Sequence, residues 1–164
     1  MQPRRLDSFR GVLPRTYDNQ LCSIARTLEV IGDRWTLLVI RDAFLGVCRF
    51  EDFQKSLGVA RNVLTDRLNR LVDEGILRRR LYQERPERYE YRLTRKGVDL
   101  WPVMMTTMKW GDRHLYPEAH PRLVLHKDCG GEIDERLHCS RCGAELGPTD
   151  VYVEVGPAAQ SEAA

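Results

Sequence analysis

Apolar residues along the chain recur first at helical intervals, then at every second position, and finally with no period at all. Leu21, Ile24, Ala25, Leu28 and Ile31 form a stripe that stops at Gly32, which predicts a first helix with Asp18 as its N-cap. Asp33 can cap a second helix, whose buried side is Trp35, Leu38, Val39 and Phe44 up to Gly46. Phe50, Phe53 and Leu57 mark a third, ending at Gly58, and Leu64, Leu68 and Leu71 a fourth over residues 60–74. Gly75 follows, where a left-handed residue closes a helix at least cost. Residues 76–82 and 88–94 then alternate apolar with charged side chains around a tip, 83–87, that holds Pro86. A central strand does not tolerate proline, so this is a hairpin and its turn. Beyond Thr94, Val98, Trp101, Met105, Met108 and Leu115 predict one long fifth helix over 95–115, kinked at Pro102.

The period ends at residues 117–121, where Pro117 and Pro121 bracket a break. A smaller unit, 122–155, follows, rich in glycine, cysteine and histidine and closing on a strand over 150–155. Residues 1–16 read as a flexible arm and 156–164, small and polar, as a disordered tail. The expected fold is therefore α+β, mainly α: a winged helix-turn-helix domain over 17–116 with a long C-terminal dimerisation helix, plus a small Cys/His zinc-ribbon-like unit. One recognition helix covers few base pairs, whereas two placed about 34 Å apart multiply discrimination. Trp101, Met105, Met108 and Trp110 offer a surface for such a dimer, or equally close the monomer's own core.

Charge sharpens this picture locally. The whole chain of 164 residues carries only +2, yet Arg61 to Arg95 holds ten arginines against six carboxylates, a local excess of +4. With Leu64, Leu68 and Leu71 facing inward, Asn62 and Thr65 are candidates for base contacts and Asn69 projects outward beside them. Arg61, Arg67 and Arg70 are candidates for phosphates, with Arg70 also placed to pair with Asp66. Arg78 and Arg80 share one strand face, and Arg85 and Arg88 flank the proline at the tip, within reach of backbone or minor groove. Taken alone, the fourth helix is also what an exposed, salt-bridged helix of any small domain looks like.

The longest apolar run, near residues 37–40, is far too short to cross a bilayer, and no apolar signal segment follows Arg4-Arg5, so the expectation is a cytoplasmic protein with no membrane partner. No phosphate loop and no Ser-His-Asp set is evident, which argues against an enzyme. Five cysteines without an export signal point to metal or a reactive thiol rather than to a disulfide framework. His126-x2-Cys129 and Cys139-x2-Cys142, each followed by glycine, have the spacing of structural zinc. His138 is the rival for the His126 position, and a bare thiol tail or a Cys139–Cys142 disulfide the alternative. Four protein ligands would leave zinc no open position for catalysis. Cys22 opens the first helix, where the positive end of the dipole favours negative charge, so it is a candidate redox sensor or else a small packing residue. Cys48 reads as packing.

In order, Cys22, the run from Gly32 to Leu38, Arg49-Phe50, Asn62-Val63-Leu64 with Arg67-Leu68, Asp73-Glu74-Gly75-Ile76 and the run from Glu90 to Thr94 resemble the HxlR-type winged helix-turn-helix transcriptional regulators of bacteria and archaea. The resemblance spans residues 22–114. It implies a MarR-like domain that dimerises through its first and last helices and binds double-stranded promoter DNA at an imperfect palindrome, more often as a repressor. It also implies a signal, either a small-molecule effector or oxidation at a cysteine matching Cys22. By analogy an effector cavity would lie among the first, second and fifth helices, near Trp35, Trp101 and Met105. Ala60 departs from the pattern, standing where members often carry a serine N-cap worth about 1 kcal/mol. The competing function is a protein-interaction adaptor that uses the winged helix and the ribbon without specific DNA binding.

Overall fold

A computed structural model describes residues 21–161 of the chain. The order is α1 (Ser23–Ile31), α2 (Arg34–Phe44), α3 (Phe50–Leu57), α4 (Arg61–Asp73), β1 (Leu77–Glu84), β2 (Glu87–Leu93), α5 (Arg95–Val98), α6 (Trp101–Leu115), β3 (Arg122–His126), β4 (Val151–Val155) and α7 (Pro157–Ser161). Asp33 caps α2 as expected, its carboxylate accepting from the Trp35 and Thr36 N–H groups at 3.0 and 3.3 Å. Ala60 sits at the α4 N-cap with no side-chain bond. The Asp18 cap and the 1–16 arm lie outside the described residues.

The first core lies between α2, α3 and α4 and under the base of the wing. Val39, Ile40, Phe53, Leu64, Leu68, Leu71, Ile76 and Leu77 are fully buried there. Gly75, at φ 67°, turns the chain out of α4, and the Ile76 N–H returns to the Leu71 carbonyl at 2.9 Å. Strands β1 and β2 pair antiparallel from Leu77↔Leu93 to Glu84↔Glu87, with an irregularity between Leu81 and Gln83. The loop before α3 adds to this sheet: Tyr91 N–H donates to the Cys48 carbonyl at 2.7 Å, and Arg49 bridges Glu90. The wing is thereby fixed to the helical body along its second strand.

Three expectations change. The hairpin runs nearly to its end, so the tip shrinks from five residues to Arg85-Pro86 between paired Glu84 and Glu87. The long fifth helix is two helices, because Pro102 has no N–H to return to Val98; α5 stops there and α6 restarts with the proline in its first turn. Pro157–Ser161, expected within a disordered tail, forms the short helix α7.

The C-terminal unit is docked. Strands β3 and β4 pair antiparallel from Arg122↔Val155 to His126↔Val151. Beneath them Val124, Ile133, Cys139, Leu146 and Val151 form a second core together with Trp101 and Met105 of α6. At its edge Lys109 Nζ donates to Glu132 at 2.5 Å and Arg113 pairs with Glu135. Trp101 and Met105 therefore close the chain's own core and are withdrawn from any dimer surface. The opposite side of α6 shows Val103 and Trp110 to solvent, and Leu115 is exposed at the C-terminal end of the helix. On α1 only Ala25 and Ile31 are buried, while Ile24 and Leu28, and Leu21 just before the helix, are exposed.

Candidate nucleic-acid interface and metal centre

Helix α4 presents Arg61, Asn62, Thr65, Asp66, Asn69 and Arg70 on its exposed side. Asn62 and Asn69 make no hydrogen bond to other described residues, so their amides are available to base edges. Thr65 donates its hydroxyl to the Arg61 carbonyl at 2.8 Å and keeps only acceptor capacity outward. The three arginines differ from one another. Arg61 lies over the Phe50 ring at 4.6 Å, a stacking that orients it without neutralising it. Arg67 turns back to α2: Nε lies 2.9 Å from Asp33 Oδ1 and Nη2 donates to Oδ2 at 3.3 Å. Its charge is spent on joining the recognition helix to the α2 cap. Arg70 donates to the Glu29 carbonyl of α1, and the expected Asp66–Arg70 pair does not form. Two of the three proposed phosphate ligands thus hold the helix in place.

On the wing, register puts Arg78, Arg80 and Arg92 on one face, opposite to the Leu77, Arg79, Leu81 face. Arg92 donates to Glu90 at 3.0 Å, and Arg80 lies 3.9 Å from the same carboxylate. The hydrogen bond from Arg92 holds the Glu90 carboxyl below the usual carboxylate range, helped by the charges of Arg80 and Arg49. Arg78, Arg85 and Arg88 are exposed and have no ion pair among the described residues. Arg49, which sequence reasoning did not place at the site, lies over the Tyr82 ring at 4.8 Å and Arg79 over Tyr89 at 4.1 Å. The only signal for Arg49 was its position before Phe50; its partner is more than thirty residues away.

The C-terminal cluster assembles from two matching turns. Gly130 N–H donates to the His126 carbonyl and Gly143 N–H to the Cys139 carbonyl, both at 2.8 Å, with both glycines at positive φ. These turns bring donor atoms of His126, Cys129, Cys139 and Cys142 within 4.8 Å of one another. His126 Nδ1 is 3.3 Å from Cys129 Sγ and 3.4 Å from Cys142 Sγ, and the Cys129 and Cys139 sulfurs are 3.3 Å apart. A tetrahedron with bonds of about 2.3 Å has edges of about 3.7 Å, so the set is close to the size zinc requires. A Cβ on Gly131 would stand 2.4 Å from Cys139 Sγ, so only glycine leaves the sulfur its place. His126 Nε2 is 3.6 Å from Asp128, a carboxylate on the ring edge away from the thiols. Burial opposes ionisation of Cys139, yet the N–H groups of Cys142 and Arg141 and the neighbouring thiols outweigh it and bring its pKa to about 6. His138 is outside the cluster; its Nδ1 contacts the Arg136 carbonyl at 2.7 Å.

Cys22 is the exposed N-cap residue of α1, with an extended backbone and its carbonyl accepting from Arg26 N–H at 3.1 Å. Cys48 is half-buried in the loop that joins the wing sheet. Of the residues expected to line an effector cavity, Trp101 and Met105 border an apolar cavity between α2, α6 and the C-terminal sheet, and Trp35 does not line it. Among the described residues no helix is long and apolar enough to cross a membrane.

Residues 30–119 match the model of the HxlR-like helix-turn-helix family. The uncharacterised HTH-type transcriptional regulator Rv3095 of Mycobacterium tuberculosis is 45% identical over 136 residues, 82% of this chain and 86% of that protein. The crystal structure of PA1607 superposes with a TM-score of 0.65 at 38% identity, covering 84% of this chain and 96% of that one. The redox regulator HypR in its reduced form gives a TM-score of 0.54 at 29% identity, covering 58% of this chain and 98% of HypR.

Proposed function

The chain belongs to the HxlR-like helix-turn-helix family, whose members are DNA-binding transcription regulators rather than enzymes, and from that premise we propose that it is a homodimeric repressor reading an imperfect promoter palindrome in the cytoplasm. The observation that carries the reading is the division of labour among its arginines. Arg67 and Arg70 brace α4, while Arg78, Arg85 and Arg88 extend from the wing unpaired. In this reading Asn62, Thr65 and Asn69 meet bases, Arg61 and the wing arginines meet phosphates, and Arg80 contributes weakly because Glu90 shares its charge. Dimerisation is supported by uncovered apolar side chains, Ile24 and Leu28 on α1 with Leu21 just before it, and Val103 and Trp110 on one side of α6.

Zinc held by His126, Cys129, Cys139 and Cys142 completes the C-terminal unit. When bound, the metal supplies a fourfold cross-link in place of the large apolar core the unit lacks. Cys22 is the proposed thiol sensor, supported by its exposure and by the likeness to a redox regulator. The test is binding of the reduced, zinc-loaded protein to duplex DNA from its own upstream region, with stoichiometry by sedimentation. Two chains per duplex, with affinity lost on peroxide treatment and retained in Cys22→Ser, is the expected result. No binding in either redox state would overturn the reading in favour of an adaptor.

A further inference from the structure

The cavity of about 600 Å3 between α2, α6 and the C-terminal sheet is walled by Phe44, Trp101, Met104, Met105, Met108 and Val151. It opens on one side to solvent and is lined mainly by apolar side chains, so a ligand can enter it without unfolding the core. It falls within the roughly 300–1,000 Å3 of small-molecule sites. Three methionines in the wall give a surface that re-forms around differently shaped rings. We propose that this cavity binds an uncharged, ring-bearing small molecule, and that filling it alters how α6 is held and hence DNA affinity.

The charges decide the class. Arg41 is engaged by Asp42 at 2.7 Å, and Asp112 stands 3.8 Å from Lys109, so no unspent charge remains deep in the wall. Arg122 is exposed at the rim. A cation would meet the guanidiniums of Arg41 and Arg122, and an anion would lose hydration among methionines.

The cavity is set apart from the side of α6 that stands uncovered. At about 100° per residue, Met105 and Met108 lie roughly 140–160° around α6 from Val103 and Trp110, so the two face largely opposite directions. The tilted stacking of Phe44 on Trp101, with centroids 5.5 Å apart, joins the cavity to α2, which packs on α4. Coupling to DNA rests on the regulator reading above, whereas the ligand site does not.

The probe is N-phenyl-1-naphthylamine, an uncharged fluorescent amine, titrated into the zinc-loaded full chain. Saturable binding of one probe per chain, with energy transfer from tryptophan, is expected. Met108→Trp and Met104→Trp each fill the cavity and should weaken binding by about tenfold or more, and Thr106→Ala, exposed on the far side of α6, should not change it. Thermal melts show which filled variant is folded, and either one suffices. Absence of saturable binding, survival of binding in both filled variants, or its loss in Thr106→Ala would overturn the site. Saturating probe should shift operator affinity by about fivefold or more, and an unchanged affinity would remove the regulatory role. Probe binding with no operator binding at all would count against the regulator reading and leave the site standing.

Discussion

Replacing Arg85 and Arg88 together with alanine should flatten the salt dependence of DNA binding far more than replacing Arg67 of the recognition helix. Each phosphate neutralised contributes about 0.9 to the slope of log affinity against log salt. A homodimer loses four cations in this variant, so the slope should fall by up to about 3.6. If counterion release alone were at work, four contacts would be worth up to about 3.6 decades of affinity at 0.1 M salt; with water and partial contacts, a loss of about ten- to a thousandfold is expected. Both residues are exposed and unpaired, so little of the folded state is lost with them. Arg67 is the contrast, since its guanidinium is already held by Asp33, and Arg67→Ala should change the slope by no more than about one. Fluorescence anisotropy of a labelled upstream duplex, over roughly 50 to 300 mM KCl, reads both. An unchanged slope in the double variant, or an equal fall in Arg67→Ala, would refute the assignment of the wing as the phosphate contact.

Asp33→Ala removes two capping bonds and the partner of Arg67 at once, so about 1–2 kcal/mol of stability should go, lowering Tm by roughly 3–8 °C in calorimetry. An unchanged Tm would contradict the cap. Stripping metal by chelation, or Cys139→Ser, should shift tryptophan emission to the red because Trp101 shares the C-terminal core, while far-UV signal from α1–α4 persists; unaltered emission would show the core does not depend on metal. Leu28→Glu should convert dimer to monomer in sedimentation, given that the side chain is exposed in the single chain, and a persisting dimer would place the contact elsewhere. Glu90 should titrate below the ordinary carboxylate range by NMR, and Arg92→Ala should raise its midpoint. The stabilisation it gives the wing is full above the ordinary value and lost as pH falls through the lower folded one. An identical midpoint in Arg92→Ala would assign the shift to some other cause.

Local chemistry was readable along the chain where cause and effect lie within a few residues. Asp33 announced its cap because its acceptors are two and three residues on, and the paired turns at Gly130 and Gly143 follow from ligand spacing alone. The break between α5 and α6 was half visible: Pro102 signalled a kink, but whether the helix bends or restarts depends on the packing around Trp101. Contacts across the chain were not readable. In sequence Arg67 looks like a free cation on a polar helix face and Arg70 like a partner for Asp66, and only the fold brings Asp33 against the first and the Glu29 carbonyl against the second. The same holds for the apolar stripe of α6, which fits a dimer seam or a core equally well until strands β3 and β4 are seen to cover it.

That cover limits how this architecture can vary. Trp101 and Met105 are only 6% and 8% exposed because the C-terminal unit sits on them. A chain ending after α6 would lay a tryptophan and a methionine bare beside Met108, an aggregation hazard on an otherwise ordinary regulator. A shorter protein built on the same winged helix would then need smaller or more polar side chains at the positions of Trp101 and Met105, or another cover for them. The cluster of His126, Cys129, Cys139 and Cys142 and these two residues are accordingly coupled through one core, a single module written in two separate stretches of sequence.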